Sequence, residues 1–419
     1  MPGSSSHTPS SGGGGRSGAL ADGIRLDMNR APQRMEFGPH HPAVRGALAL
    51  KLELDGERIL EAEIEIGFGH RGVEAKAEAL AWHRAIPYID RLQSQSAMMA
   101  ATAYVLAVEK LLGLEPPLRA AWLRTLGCEL GRMADHLARL ASLARVLGAE
   151  APAAWALGAR ARIGALLEAL TGSQAGQQYV RIGGVAGPLP PDWVAHLRGV
   201  GPAVLAALDD FDAVLGQNRI FVDRLRGRGV LNAQACLGYG ISGPLLRAAG
   251  VAADLRRDEP YLVYDELAFD LPVGLVGDNL DRYRVCLEEL RQSLALVNQC
   301  ATRLQALGTG DHRLKDPALG SMREWSGDES LEERIRWGRA HVAGPSVPRG
   351  EAGARVESSN GELGFYLVSD GSATPRRVRC RAPSFFNAQV LAQILRGQTL
   401  GDVGPTLALA NIEGAECDR

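Results

Sequence analysis

The chain has 419 residues, of which 46% are hydrophobic, 22% charged and 5% aromatic, and its 46 Lys+Arg against 48 Asp+Glu leave a net charge of -2. That length can build a sizeable core without disulfides or structural metals, and the composition excludes disordered and collagen-like classes. The least polar run, 97–108, falls short of the roughly 18 to 20 apolar residues that a spanning helix needs, and the dispersed, balanced charge leaves no footprint for a nucleic-acid partner.

Residues 1–18 are rich in Ser and Gly and lack an apolar h-region, so they read as a flexible leader, not a secretory signal, and the leader is taken to run through residue 34. Beyond it Leu48 to Leu54 alternates, Asp55-Gly56 signals a two-residue turn, and Ile59 to Ile66 continues the pattern, which predicts a β-hairpin. Helical spacing then runs from Glu74 to Leu112, and Pro116-Pro117 opens a second helix reaching Val146. Pro152 to Leu170, Pro191 to Leu215 and Asn279 to Leu307 supply three more, making a helical bundle. Near the end, Gly361 to Val368 and Arg376 to Cys380 flank a second turn, and Ser384 to Leu395 reads as a helix. With no internal repeat and no linker-like break, the expectation is one α+β domain, β-rich over 35–75, helical over 76–310 and mixed over 311–419.

The six cysteines, Cys128, Cys236, Cys286, Cys300, Cys380 and Cys417, include no Cys-x-x-Cys pair, so neighbours cannot assemble a zinc clip or an iron–sulfur site, and they read as buried thiols. Gly238 to Gly243 fits G-x-G-x-x-G, with Asp265 about 20 residues on, but the context of a nucleotide loop is missing. A poor strand precedes it and Gly250 stops the following helix after about two turns. The side chains of adjacent His40 and His41 diverge, which favours a structural or solvent-facing role over shared metal ligation. His136, beside Asp135, reads as a helical histidine bonded to a neighbour, and Asp209 to Asp212 as a solvated acidic face. Residue chemistry alone stops at a large α+β protein.

Several segments carry more when taken together: Phe37-Gly38-Pro39-His40-His41-Pro42, Gly67-Phe68-Gly69-His70-Arg71-Gly72, Pro87-Tyr88-Ile89-Asp90-Arg91, Tyr104-Val105-Leu106-Ala107-Val108-Glu109-Lys110, Tyr179-Val180-Arg181-Ile182-Gly183-Gly184, Ser242-Gly243-Pro244, Gly361-Glu362-Leu363-Gly364 and Asp418-Arg419. In this order they resemble the D-type subunit of the respiratory NADH:quinone oxidoreductase, complex I, a relative of the nickel–iron hydrogenase large subunit. The resemblance implies a peripheral subunit on the cytoplasmic face of the inner membrane. It would pack against a small iron–sulfur subunit and a membrane-arm subunit, and the three would enclose a chamber where quinone, the substrate, receives electrons from the partner's iron–sulfur cluster. The chain itself is expected to bind no cofactor.

The chamber positions implied by the resemblance are His41, Arg45, Ser94 and Val146. Arg45 stands where the family has a headgroup histidine, Ser94 where it has a headgroup tyrosine, and Val146 where it has the acid paired with that histidine. Gly176 replaces a redox-linked histidine on the cluster side, while Arg71 keeps the family's arginine there. Asn360 takes the place of an arginine, and Glu362 is retained. At the cysteine positions of the hydrogenases stand Gln93, Ser96, Glu413 and Glu416, which argues against a nickel–iron site because such a site needs soft thiolates. Two readings follow. One is an electron-transfer subunit whose altered chamber uses Arg45 to stabilise anionic quinone; the other is a non-catalytic scaffold or assembly paralogue.

Overall fold

The computed structural model describes residues 32–315 and 330–419, so the leader over 1–31 lies outside the described residues. The first hairpin forms as expected, with β2 (Ala49–Asp55) antiparallel to β3 (Arg58–Glu65). Leu50, Leu52 and Leu54 alternate inward along β2, the period that one buried sheet face requires. Asp55 pairs with Arg58, so the two loop residues are Gly56 and Glu57, one position later than the turn signal suggested. Gly56 supplies the positive φ of 60° that such a tight turn favours. An additional strand, β1 (Gln33–Phe37), pairs with β2 and begins inside the stretch assigned to the leader. Its residues are largely exposed, so it carries little hydrophobic signal.

The stretch expected to be one helix from Glu74 to Leu112 is broken. It consists of α1 (Val73–Ala79), short turns at Trp82–Ala85, Ile86–Ile89 and Asp90–Leu92, and then α2 (Ala97–Leu112). Pro87 and the polar run Gln93 to Ser96 interrupt the helix, yet the buried Trp82, Ile86, Ile89 and Leu92 keep near-helical spacing through the turns. The other helices fall close to expectation: α3 (Leu118–Val146), α4 (Glu150–Thr171), α5 (Trp193–Phe211) and α6 (Asn279–Ala306). At the other end β4 (Gly350–Ser358), β5 (Gly361–Ser369) and β6 (Arg377–Arg381) form a second antiparallel sheet in the order β4-β5-β6, of which β4 is an addition to the expected pair. The expected closing helix is split into α7 (Pro383–Gln389) and α8 (Leu391–Leu395), followed by α9 (Val403–Ala410). The architecture is α+β: a helical bundle with a three-stranded antiparallel sheet towards each end of the described chain and a two-stranded one, Val180–Arg181 with Gly184–Val185, in the middle.

Helix α3 organises the bundle, packing against α4 and α6. One of its faces buries Leu126, Leu130, Met133, Leu137 and Leu140, each worth about 1.5–3 kcal/mol relative to exposure. Another carries Glu129, Arg132, His136 and Arg139, three or four residues apart and all buried. From the sequence this stripe resembles a solvated face. Inside the fold it is the spine of an ionic network. Glu129 pairs with Arg132 at 3.3 Å and with Arg256 at 3.2 Å, and it accepts hydrogen bonds from Tyr264 and Ser293, both at 2.7 Å. Arg256 pairs with Asp254 at 2.8 Å; Arg247 reaches Glu357 at 2.7 Å, Glu289 at 2.8 Å and Asp254 at 3.2 Å.

His136 bonds Glu289 of α6 at 2.8 Å, not its neighbour Asp135. Burial, with Arg139 close by, pulls its imidazole down to about 4, so at neutral pH it is uncharged. Nε2–H is therefore the donor, because the ionised Glu289 can only accept.

The Gly238 to Gly243 loop follows a short helix, Ala233–Gly238, and leads into another, Pro244–Ala248. Its glycines serve close packing against the second sheet. A Cβ on Gly243, at φ +71, would lie 2.4 Å from the Gly361 Cα, while Arg381 donates to the Gly240 carbonyl at 2.9 Å. Asp209 and Asp210 are exposed, as expected of a solvated face. The six cysteines are all buried and free, and burial pushes the Cys128 and Cys286 thiols up to about 12. No helix among the described residues is long and apolar enough to cross a membrane.

Candidate functional site

The site forms where the loop after β1 meets the last residues of the chain. Arg45 and Glu413 lie side by side in a parallel bridge, with the Gly414 amide donating to the Arg45 carbonyl at 2.6 Å and the Arg45 amide to Ile412 at 3.4 Å. This backbone clamp aims the Arg45 side chain at α3. There Nη2 donates to the Asp135 carbonyl at 2.8 Å and Nη1 contacts the Asp135 carboxylate. The Arg45 side chain is 18% exposed, with Nη1 buried against Asp135. Burial pulls it down to about 10, opposed by Glu413, and it stays cationic at neutral pH.

Val146, which takes the place of the family's acid, brings no carboxylate to the site. It sits eleven residues beyond Asp135 on the same helix, about 16 Å along the axis, and its side chain lies against Gly404. The arginine takes Asp135 as its anion. Sequence reasoning misses Asp135 because the pairing spans 90 residues. His41 stays in the loop and shapes it. Its Nδ1 accepts from the Ala43 amide at 3.2 Å, its ring meets Phe37 edge-on at 5.9 Å, and partial burial lowers its pKa. Adjacent His40 is exposed, as its diverging geometry suggested.

The four positions that align with hydrogenase cysteines converge, although more than 300 residues separate the two pairs in sequence. Gln93 donates to Glu416 at 2.5 Å, Ser96 to Gln93 at 3.2 Å, and the exposed Ser94 to Glu413 at 3.1 Å. Glu416 also accepts from the Ser384 amide at 2.8 Å, while the Glu413 amide donates to the Ser384 hydroxyl at 3.1 Å. Carboxylates and amides bonded to one another in this way do not offer the soft donor set of a nickel–iron site. Burial pushes Glu413 up to about 7, with Glu416 adding to the rise and Arg45 opposing it; burial also raises Glu416. Asn360 ties the base together: Arg139 donates to its side-chain oxygen at 3.1 Å, and Asn411 bonds both Asn360 and Asp135.

The cluster-side positions also come together, at the rim. Arg71 is exposed and donates to the Arg91 carbonyl at 3.1 Å, and a Cβ on Gly176 would lie 3.5 Å from the Arg91 guanidinium. Next to Arg91 the buried Asp90 has neither carboxylate oxygen hydrogen-bonded, and burial raises it to about 6 against the pull of Arg91 and Arg181. The loop carrying Arg71 is pinned from the chain end, since Asp418 accepts from the Gly67 and Gly69 amides, both at 2.6 Å. Each such bond to a charged acceptor is worth about 1.5–3 kcal/mol. Asp418→Ala is therefore expected to free the loop, seen as faster trypsin cleavage after Arg71. Cleavage at the wild-type rate would show that the pin is dispensable.

Cavities elsewhere belong to other surfaces. One of about 840 Å³ lies over β4–β6, between Lys110, Tyr261, Arg355 and Arg379, and none of the positions above lines it.

Comparison with known proteins identifies the family. Residues 146–419 match the family described as the respiratory-chain NADH dehydrogenase 49 Kd subunit. The chain is 40% identical over 405 residues to the D-type NADH-quinone oxidoreductase subunit of Myxococcus xanthus, covering 96% of each chain. It is also 40% identical over 387 residues to the D-type subunit of Wolbachia pipientis wMel, covering 92% of this chain and 98% of the relative. Against a D-type subunit of Sorangium cellulosum it is 38% identical over 398 residues, covering 95% and 98%. With likeness that long and family positions that meet in space, the chain belongs to the family of D-type NADH-quinone oxidoreductase subunits, the 49 Kd subunit of the respiratory-chain NADH dehydrogenase.

Proposed function

We propose that this subunit forms one wall of a quinone chamber, closed by a small iron–sulfur subunit and a membrane-arm subunit, and that its altered residues bind the headgroup in a new way. The observation that carries the reading is the Arg45 guanidinium, fixed by Asp135 beside Glu413, whose carboxyl accepts from the exposed Ser94. A histidine can give a proton to reduced quinone, whereas an arginine can only stabilise its charge. Ser94 is shorter than the tyrosine it replaces and offers no ring for stacking. Arg71, exposed at the rim with Arg91, would face the partner's cluster, where a cation favours the reduced, more negative state. The partner holds the cluster and supplies single electrons; this chain orients quinone and balances its charge. The subunit would lie peripherally on the cytoplasmic face of the inner membrane, held there by its partners.

The test is NADH-driven reduction of a short-chain quinone by the purified assembly containing this subunit. Turnover that disappears when the subunit is omitted, and returns when it is restored, supports the chamber. An intact assembly that oxidises NADH with an artificial acceptor but reduces no quinone would leave the scaffold reading in its place.

A further inference from the structure

The proposed chamber has an anion-stabilising arginine but has lost the histidine that could donate a proton. Quinone reduction consumes two electrons and two protons, so a proton must still reach the headgroup. Several titratable or charged groups surround the site. Arg45, on the loop after β1, holds its proton. On α3, Asp135 is occupied by Arg45 and Asn411, and Arg139 is a permanent cation bonded to Ser359 and Asn360. Arg160 on α4 is bonded to Gln95. Cys286 on α6 is a buried thiol, pushed away from ionisation. Glu416 is fully buried and held by Gln93 and Ser384. Glu413 differs from all of these, because the exposed Ser94 hydroxyl lies 3.1 Å from its Oε2 and stands between that buried carboxyl and the open side.

We infer that Glu413 supplies a proton to reduced quinone through the Ser94 hydroxyl. The inference rests on the chamber reading. A hydroxyl accepts and donates at once, so the transfer balances in one concerted shift. With quinone bound, the Ser94 hydroxyl, which donates to Glu413 Oε2 in the free site, turns its O–H to the headgroup and accepts from the protonated carboxyl. The O–H bond of the Glu413 carboxyl breaks as its proton passes to Ser94 Oγ, and the proton that Ser94 carried forms the new O–H on the headgroup oxygen. Both electrons come from the partner's cluster, and the second proton comes from hydronium in the surrounding solvent, which becomes water. Glu413 is left as a carboxylate beside Arg45, which stabilises it until hydronium protonates it again. A group that titrates near 7, as Glu413 does, is suited to both halves of this cycle.

The sign of the pH dependence follows. Glu413 donates only when protonated, so kcat should fall as pH rises through about 7, approaching tenfold per unit above it. In the assembled complex, Glu413→Gln keeps an oxygen that accepts from Ser94 but removes the acid. It is expected to lower kcat about 10²-fold, leave KM for quinone unchanged and flatten the profile between about pH 6 and 8. Ser94→Ala should give the same loss, and combining the two should add little, because both cut one path. If Glu413→Gln fails to assemble, Ser94→Ala and Glu413→Asp still decide the matter: the first should lose the pH limb and the second retain it. Wild-type kcat and pH profile in either Glu413→Gln or Ser94→Ala, in a complex that reduces quinone, would overturn the relay. A wild-type complex unable to reduce quinone at all would overturn the chamber itself.

Discussion

Arg45→Ala is expected to lower quinone reduction by the assembled complex about 10²- to 10³-fold, the range found when one fixed donor to a developing anion is removed. The guanidinium qualifies as such a donor because its position is set before any ligand arrives. The backbone clamp to Ile412 and Gly414 fixes its root, and two contacts to Asp135 fix its tip. Arg45→Lys should recover only part of the loss, since an ammonium keeps the charge without the planar fork that grips Asp135. Arg45 itself should add no pH limb near neutrality in the wild-type complex, because a cation held at about 10 does not titrate there. Steady-state kinetics with a soluble quinone decide the point, and unchanged turnover in Arg45→Ala would remove this residue from the mechanism.

The second large effect concerns stability. Arg247→Leu should destabilise the protein by about 3–5 kcal/mol, the cost of removing one member of a buried ion pair. Arg247 is fully buried and serves Glu289, Glu357 and Asp254 together. Without it, three carboxylates would crowd around the remaining Arg256 and Arg132, and Glu289 would lose the cation that chiefly holds it well below the usual carboxylate range. Chemical denaturation should register the change as a lower midpoint with an unchanged slope. A midpoint equal to wild type would mean that the network relaxes around the gap.

Much of the framework is legible in the sequence because local signals there agree with the tertiary outcome. Asp55-Gly56 lies within one residue of the true turn, and α3 begins one residue after Pro117 and ends at Val146 as expected. Elsewhere the signals conflict or vanish. The stretch 73–112 keeps apolar spacing across its breaks, so periodicity alone cannot reveal them. Strands β1 and β4 both contain Glu and Arg, β4 also Gly, and they owe their pairing to the strand beside them. The site is legible position by position but not as an assembly. Gln93 with Glu416, and Arg45 with Asp135, are contacts between distant parts of the chain that no local pattern encodes.

The clamp between Arg45 and residues 412–414 has a bearing on biogenesis. Arg45 leaves the ribosome hundreds of residues before its backbone partners, so during synthesis the N-terminal loop must wait with its polar groups wetted while the bundle condenses. Contacts of such long sequence separation form late. A product stopped before residue 412 would leave this loop without its backbone clamp.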